Sequence, residues 1–305
     1  REKAIVNVDV IEAPTGSLNF GVGYSTDTNF TGSLSLSERN LLGRGQKLDL
    51  QLSTSKNSNS LSFSFVEPAF LKRDVSAGIK LNFRETDPEE STYTSNSLSL
   101  SPSLGFIVGP DSKMTLSYEI ENLEIFSENS PSQVLQNDDG KYFNSAINSV
   151  FVYDRRNSII EPTSGYIVKL NNSLMGLGGD IGYVKTSAKT KFYKGFVDDK
   201  IVLSSELEGG VLDTLKGYSR VTDRFKLGGR NFRGFQFGEI GPRDLSGDSL
   251  GGDKYVMGRL ETNFPLGLPE DLGLYAGIFA ETGSLWSLKA KSNVLSSIEY
   301  SEKFM

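Results

Sequence analysis

Histidine and cysteine are absent from all 305 residues of the sequence. Without cysteine the chain cannot form a disulfide or a thiolate metal site. Without histidine it lacks the commonest general base and metal ligand, so neither Ser-His-Asp nor Cys-His catalysis can be assembled. The sequence therefore predicts a protein that is not an enzyme and that has no metal site and no cofactor.

Long apolar runs and an excess of positive charge are also missing. No run of about 18 apolar residues occurs, so the sequence predicts no transmembrane helix. The chain has 32 Lys and Arg against 38 Asp and Glu, a formal net charge of −6, which gives no reason to expect a nucleic-acid partner. Its length suits one large domain or two ordinary ones.

From Ser17 onward the sequence instead shows a period of two, in which apolar and polar residues alternate. In the clearest segment, five apolar residues interleave with five small or polar ones: Val75, Ala77, Ile79, Leu81 and Phe83 with Ser76, Gly78, Lys80, Asn82 and Arg84. Because successive side chains of a strand point to opposite faces, such segments are strands with one apolar and one polar face. The pattern predicts about thirteen strands and no helix longer than a turn or two.

The connections between the predicted strands alternate in kind. Every other connection is polar and often long, and those between them are mostly short turns. The long ones are 26–29, 84–92, 121–141, 175–182 and 214–252; the short ones are 40–45, 68–73, 109–112 and 197–200, with 155–165 a longer exception. This parity predicts an all-β fold, an antiparallel transmembrane β-barrel of the outer-membrane type. A soluble β-sandwich is the alternative, although about thirteen long strands exceed those of an immunoglobulin-like sandwich.

The longest connection contains the most unusual stretch of the sequence. Three glycines, two arginines and two aromatic residues lie in the eight residues from Gly228 to Phe235, among them Gly229, Arg233 and Gly234. Glycines permit backbone conformations that other residues resist, and an arginine beside such a turn can pair with carboxylates through its planar fork. The alternative interpretation is a glycine-rich surface turn.

The two strands that follow this loop each carry a glutamate on the polar face. In 253–265, Glu261 lies on the face opposite Leu260, and in 272–283, Glu281 lies on the face opposite Ala280. A carboxylate on a lipid-facing surface is costly, so both are expected to point into the lumen. If the loop 213–252 folds into the barrel, Arg233 can lie between the two carboxylates and latch it there. The alternative is scattered lumenal charge, as in any porin.

These residues resemble a known family. The sequence Gly-Gly-Arg-Asn-Phe-Arg-Gly-Phe at 228–235, with Ile-Gly-Pro at 240–242, closely resembles the sixth extracellular loop of BamA-type outer-membrane assembly factors. Phe232 stands where the family usually has Val or Leu. Glu261 matches the family's lumenal Glu, and Glu281 departs by one methylene from its usual Asp. Further resemblance lies at 37–45, 67–68, 153–157 and 162–165.

The resemblance implies a function and its partners. It implies a non-enzymatic factor that inserts β-barrel proteins into the bacterial outer membrane, by lateral opening of a seam, strand templating and thinning of the bilayer. The first strand of that seam would carry four apolar residues: Leu18, Phe20, Val22 and Tyr24. The implied partners are unfolded outer-membrane β-barrel substrates, the accessory lipoproteins of the assembly complex and the lipid bilayer.

The resemblance also implies a domain organisation. The family barrel has sixteen strands, of which we expect about thirteen here, with the chain ending in the extracellular loop after the thirteenth. Residues 1–13 are expected to be the end of a last POTRA domain and 14–305 the barrel, with an edge left open at 272–283. Two alternatives stay open. One is a two-partner secretion or autotransporter-assembly transporter of the same superfamily; the other, more distant, is a general porin.

Overall fold

A computed structural model describes residues 13–25, 29–266, 274–290 and 298–299. Thirteen strands form one antiparallel sheet, and each pairs with its neighbours along the chain. These strands are β1 (Gly16–Ser25), β2 (Asn29–Leu41), β3 (Gln46–Thr54), β4 (Ser58–Glu67), β5 (Val75–Thr86), β6 (Thr94–Gly109), β7 (Ser112–Phe126), β8 (Gly140–Asp154), β9 (Ser164–Met175), β10 (Gly182–Phe196), β11 (Ile201–Lys216), β13 (Lys254–Pro265) and β14 (Tyr275–Trp286). The prediction of an all-β antiparallel fold with about thirteen strands is confirmed.

The remaining elements are short. Strands β12 (Arg243–Asp244) and β15 (Ile298–Glu299) pair with each other, and the helical elements are one 3-10 turn (Phe70–Lys72) and α1 (Gln133–Gln136). In the part of the chain that the structure describes, no helix is long and apolar enough to span a membrane.

The hairpin of β7 and β8 extends further than the sequence predicts. The predicted connection 121–141 shrinks to 127–139, because β7 and β8 remain paired from Glu121–Asn144 to Ile125–Gly140. The apolar side chains change face here. Leu123 and Ile125 are buried, at 6% and 1% exposure, on the face opposite Leu116 and its neighbours. In this last part of β7 the apolar side chains lie on the other face of the sheet, where they pack against loops. The alternation of apolar and polar residues continues, but the apolar residues are now on the opposite face of the strand.

The two faces of the sheet have different surroundings. One face carries exposed large apolar side chains, such as Leu81 and Leu100, and is here called the outer face. The other, the inner face, is covered by the connection between β11 and β13, residues 217–253, here called the inner loop. Residues from β5 through β13 line a single cavity together with this loop, so the sheet curves around it. Such an enclosed loop does not suit a two-sheet sandwich.

The largest buried apolar cluster lies at the end of the sheet where the long loops meet. Leu123 and Ile125 of β7 pack there with Leu135 of α1 and with two inner-loop residues, Val221 and Leu250. Each of the loop residues is fully buried. The core is therefore a cap built from loops rather than the interior of a sandwich.

Strands β1 and β14 are the edges of the sheet. Among the described residues no ladder joins them, and β1 pairs only with β2. Residues 272 and 273 of the predicted open edge lie outside the described part of the chain, residue 274 precedes β14, and residues 275–283 belong to β14. The predicted domain boundary at residue 13 cannot be placed on the fold, since residues 1–12 also lie outside the described part.

Candidate functional site: the inner loop and its anchors

The glycine-rich stretch of the inner loop is a compact double turn. Gly229 N–H donates to the Phe235 carbonyl at 2.7 Å, and Gly238 N–H to that of Leu227 at 3.0 Å. At Gly228, φ is +126°, and a Cβ atom would lie 1.8 Å from the Gln236 carbonyl oxygen, so only glycine fits. Gly234 also has a positive φ, of +89°, but a Cβ there would meet open space. The turn therefore projects Phe232 and Arg233 toward the wall, and Arg230 stays exposed.

Phe232 packs the turn against the inner face. Its side chain is 2% exposed and lies in an apolar cluster with Tyr255 and Met257 of β13 and with Leu285 of β14. A Cβ added to Gly283 would lie 3.0 Å from the Phe232 ring, so this part of β14 accommodates the ring because it lacks a side chain. Sequence reasoning treated Phe232 only as a departure from a motif; the structure makes it the apolar anchor of the turn.

Arg233 lies between the two glutamates of the sequence prediction. Its Nη2 donates to Glu261 Oε2 at 2.8 Å, its Nε to Glu281 Oε1 at 2.5 Å, and its backbone N–H to Glu281 Oε2 at 3.0 Å. Its guanidinium stacks on the Phe279 ring at 3.5 Å from the centroid. The carboxylate of Glu281 is 3% exposed, whereas Arg233 is 35% exposed. The strand register thus brings both carboxylates to the face that the inner loop covers.

A second arginine, Arg259 of β13, shares the carboxylate of Glu281. Its Nε donates to Glu281 Oε1 at 2.7 Å, its Nη1 lies 3.3 Å from Glu206 Oε1, and its Nη2 donates to the Asn231 carbonyl of the loop at 2.9 Å. The predicted latch did not include Arg259. Because it contacts both the wall and the loop backbone, it belongs to the anchor.

The strand register arranges these charges in a row of alternating sign. Lys191, Glu206, Arg259 and Glu281 are successive cross-strand partners on β10, β11, β13 and β14. Opposite charges directly across a sheet attract. Lys189 extends the network, at 2.8 Å from Glu206 and 3.0 Å from Glu208. Four glutamates face two lysines and two arginines, and the inner loop supplies one of those cations, Arg233. Docking of the loop therefore completes the charge balance of the wall.

A second polar anchor lies in the first part of the inner loop, which sequence reasoning did not single out. Arg220 is fully buried. Its Nε lies 2.9 Å from Asp223 Oδ2, its Nη2 donates to Asn144 Oδ1 of β8 at 3.1 Å, and its guanidinium lies over the Tyr142 ring. Val221 N–H donates to Asp138 Oδ2 at 2.8 Å. An arginine and an aspartate three residues apart in a polar loop are typical of a solvent-exposed surface. The sequence therefore did not indicate that Arg220 and Asp223 are buried.

A third set of contacts joins the end of the inner loop to the β5–β6 connection. Ser249 N–H donates to the Glu90 carbonyl at 2.7 Å, and Arg243 Nη2 donates to Glu90 Oε2 at 2.8 Å. Thr92 N–H donates to Asp248 Oδ1 at 2.6 Å. The inner loop is therefore held at the β13–β14 wall, at β7–β8 and at β5–β6, so it crosses the interior from side to side.

The predicted first strand of the seam lies apart from the latch. Leu18, Phe20, Val22 and Tyr24 share the outer face of β1 and are 65% to 77% exposed. The Arg233 latch lies on the inner face of β13 and β14. The structure thus groups the predicted latch residues and leaves the predicted seam residues on a separate edge.

Burial affects the charge of Asp138 in the second anchor. The side chain is fully buried, and its Oδ1 accepts no hydrogen bond from the described residues. Burial raises the pKa of the Asp138 carboxyl from 3.8 to about 6, although Arg224 and the Val221 N–H favour the charged form. A raised folded-state pKa means that the docked loop binds a proton more readily than the released loop does. The stability that this group contributes is fully present below pH 3.8 and is lost as the pH rises through about 6.

We therefore expect docking of the inner loop at Asp138 to weaken from pH 5 to pH 7.5 by roughly 1.4 kcal/mol, because pH 5 lies about one unit below the pKa of the docked Asp138 carboxyl. Hydrogen exchange of residues 217–227, corrected for intrinsic rates, measures this. Asp138→Asn keeps an acceptor for Val221 N–H and should remove most of the pH dependence. Asp139→Asn, at an exposed neighbouring position, is the matched control and should keep the pH dependence of the unchanged protein. The same pH dependence in Asp138→Asn would assign the effect to other groups.

The chain matches one known protein family and is similar to several named proteins. Residues 40–303 match the family model of the Omp85 superfamily domain. The chain is 28% identical to the outer membrane protein assembly factor BamA of Neorickettsia risticii (strain Illinois), over 93% of this chain and 39% of that protein. It is 31% identical to the sorting and assembly machinery component 50 homolog of Homo sapiens, over 87% of this chain and 56% of that protein. The chain thus spans about half or less of these relatives.

Solved structures show the same fold. BamA from Haemophilus ducreyi lacking POTRA domains 1–3 superposes with a TM-score of 0.77 at 22% identity, over 90% of this chain and 58% of that one. CdiB from Acinetobacter baumannii superposes with a TM-score of 0.56 at 14% identity, over 89% of this chain and 50% of that one. The predicted outer-membrane type of barrel fold is confirmed.

Proposed function

Because the chain belongs to the Omp85 superfamily and is an integral outer-membrane protein, we propose that it assembles β-barrel proteins into that membrane. The observation that carries the proposal is the inner loop, held against β13 and β14 by Arg233, within a chain whose curated relatives are named assembly factors. The structure shows a scaffold of strands and fixed ion pairs, which suits assembly without a chemical step.

The edge strand β1 supplies the working surface in this proposal. Its backbone groups face no partner on one side among the described residues, and a free edge can pair with an extended incoming strand by β-augmentation. The exposed side chains of Leu18, Phe20, Val22 and Tyr24 form an apolar row beside that edge. An incoming strand that aligns its own apolar face with this row would enter the bilayer in register. The local bilayer would be thinned beside this seam.

The inner loop has a separate role in this proposal. Attached at three places, it keeps the curved sheet in one shape and closes its long-loop end while the edge opens and closes. Arg233 is the contact that ties the loop to the strands nearest the second edge. Unfolded outer-membrane β-barrel proteins would be the substrates, and accessory lipoproteins and the bilayer the other partners.

A secretion transporter of the same superfamily is the second candidate, because CdiB shares the fold. The two functions differ in what they do to a substrate strand. An assembly factor leaves its substrate folded in the membrane, whereas a secretion transporter passes it across. The 28% identity to BamA over 93% of the chain favours assembly.

Reconstitution of the full chain into liposomes tests the proposal. A urea-unfolded outer-membrane β-barrel substrate is added, and its folding is followed by the gel shift of heat-modifiable barrels. We expect faster folding than in empty liposomes, and a loss of most of that acceleration in Arg233→Ala. The control variant Arg230→Ala removes the same charge from an exposed position of the same turn, and it should accelerate substrate folding as much as the unchanged protein does.

The outcomes separate the possible functions. A substrate that reaches the liposome interior instead of the bilayer would support secretion. No acceleration above empty liposomes by a correctly folded chain would overturn the assembly function. Equal activity in Arg233→Ala and Arg230→Ala would remove the latch from the mechanism while leaving assembly intact.

A further inference from the structure

A crevice with basic residues at its mouth lies on the outer face, at the short-turn end of the sheet. It has a volume of about 740 Å³ and lies between the β2–β3 turn and the β4–β5 turn. Its floor includes Phe65 and Ile79, which are cross-strand partners on β4 and β5. Its mouth holds Arg44 from the first turn and Lys72 from the second. The inner loop and its anchors lie on the opposite face and take no part in it.

The two cations at the mouth have no carboxylate within ion-pair distance in the part of the chain that the structure describes. Neither Arg44 nor Lys72 forms an ion pair there, and both are exposed. One carboxylate, that of Glu67, also lines the crevice and attracts Arg44, but it accepts hydrogen bonds from Gln46 Nε2 at 2.8 Å and from the Ala69 N–H at 3.1 Å. The crevice therefore has a net positive charge, from two cations and one carboxylate, beside an apolar floor.

The turns around the crevice expose apolar side chains. Leu42 is 83% exposed, Leu71 73% and Phe70 40%. Leu71 and Lys72 both have positive φ, of +55° and +59°, which is unusual for residues with side chains and costs conformational energy. Apolar residues at the ends of membrane-spanning strands lie where the acyl chains meet the headgroups. Basic side chains at this level reach the headgroups.

We propose that this crevice binds one anionic phospholipid, with its phosphate between Arg44 and Lys72 and an acyl chain along Phe65 and Ile79. An anionic headgroup is complementary to this site, because it can pair with two cations that form no ion pair within the described residues. The apolar floor is continuous with the outer face of the sheet, which faces the acyl chains. A soluble phosphate would use only the cations and leave the floor unused.

Native mass spectrometry of the purified full chain in detergent measures this binding, with phosphatidylglycerol as the lipid. We expect one tightly bound lipid per chain. Arg44→Gln with Lys72→Gln should weaken binding roughly 30-fold, equivalent to about 2 kcal/mol, since each cation near an anionic surface contributes about half of that. The matched control is Lys194→Gln with Lys200→Gln, which removes the same charge at another turn of the same end. It should change the affinity less than about threefold.

Three outcomes overturn the proposal. Equal losses in the two double variants would show a general charge effect. Equal binding of phosphatidylcholine and phosphatidylglycerol would show that the cations do not select the lipid. Displacement by inorganic phosphate at about 10 mM, or equal binding of the free glycerophosphoglycerol headgroup, would show a simple anion site. The barrel-assembly assay is separate, so a failure here leaves the assembly function standing.

Discussion

Arg220→Ala should release the first part of the inner loop and destabilise the protein by about 3–5 kcal/mol. Arg220 is fully buried, and its Nε and Nη2 donate to both carboxylate oxygens of Asp223 at 2.9 and 3.2 Å. Asp223 is itself 6% exposed, so truncation of the arginine leaves a buried carboxylate without its cation. The Asn144 side chain loses a hydrogen bond in the same step.

Hydrogen exchange across residues 217–227 and the midpoint of denaturant unfolding measure this effect. Arg230→Ala is the control, because it removes an exposed arginine from the same loop. Arg220→Met with Asp223→Asn removes both charges and keeps similar volumes, and it should cost less than Arg220→Ala alone. A double variant as unstable as the single one would show that packing, rather than the uncompensated carboxylate, sets the cost.

Strand alternation is why the fold could be predicted from the sequence. Residues such as Ile79 and Lys80 alternate because one face of the sheet meets an apolar environment and the other does not. The same parity assigned Glu261 and Glu281 to one face without any structure. The failure at β7 has the same origin. Leu123 and Ile125 continue the alternation, but their side chains lie on the inner face because they pack into the cap of loops. In the sequence, such a change of the apolar face is indistinguishable from the end of a strand.

The second anchor could not be predicted, because its partners are distant in the sequence. Arg220 meets Asn144, and Val221 meets Asp138, across strands and loops that only the three-dimensional curvature of the sheet brings together. Nothing in a polar loop sequence distinguishes a charge that stays in water from one that is buried. The latch roles of Arg233, Gly234 and Phe235 and the seam role of β1 stay predictions. The geometry now permits sharper tests of them.

The two arginines that share Glu281 should show a strong energetic coupling. In Arg233→Ala the carboxylate keeps Arg259 at 2.7 Å, and in Arg259→Ala it keeps Arg233 at 2.5 Å. Each single variant should therefore cost only about 2 kcal/mol, since one cation remains. The Glu281 side chain is 3% exposed in the intact protein, and Arg233 and Arg259 are its only ion-pair partners among the described residues, so the double variant leaves this carboxylate without a cation. The double variant should lose about 1–2 kcal/mol more than the sum of the single losses.

A double-mutant cycle on the free energy of unfolding measures this coupling. Glu281→Gln in the double variant removes the uncompensated charge and should recover part of the loss, whereas Glu261→Gln, at a more exposed carboxylate, should recover less. Additive losses within about 0.5 kcal/mol would show that the arginines act independently. If the two arginines are coupled and Glu281→Gln recovers stability, the latch is centred on the Glu281 carboxylate in the wall of the barrel. The inner loop then completes a row of charges that β10, β11, β13 and β14 already hold in register. On that account the loop needs only one arginine, because the wall provides the other.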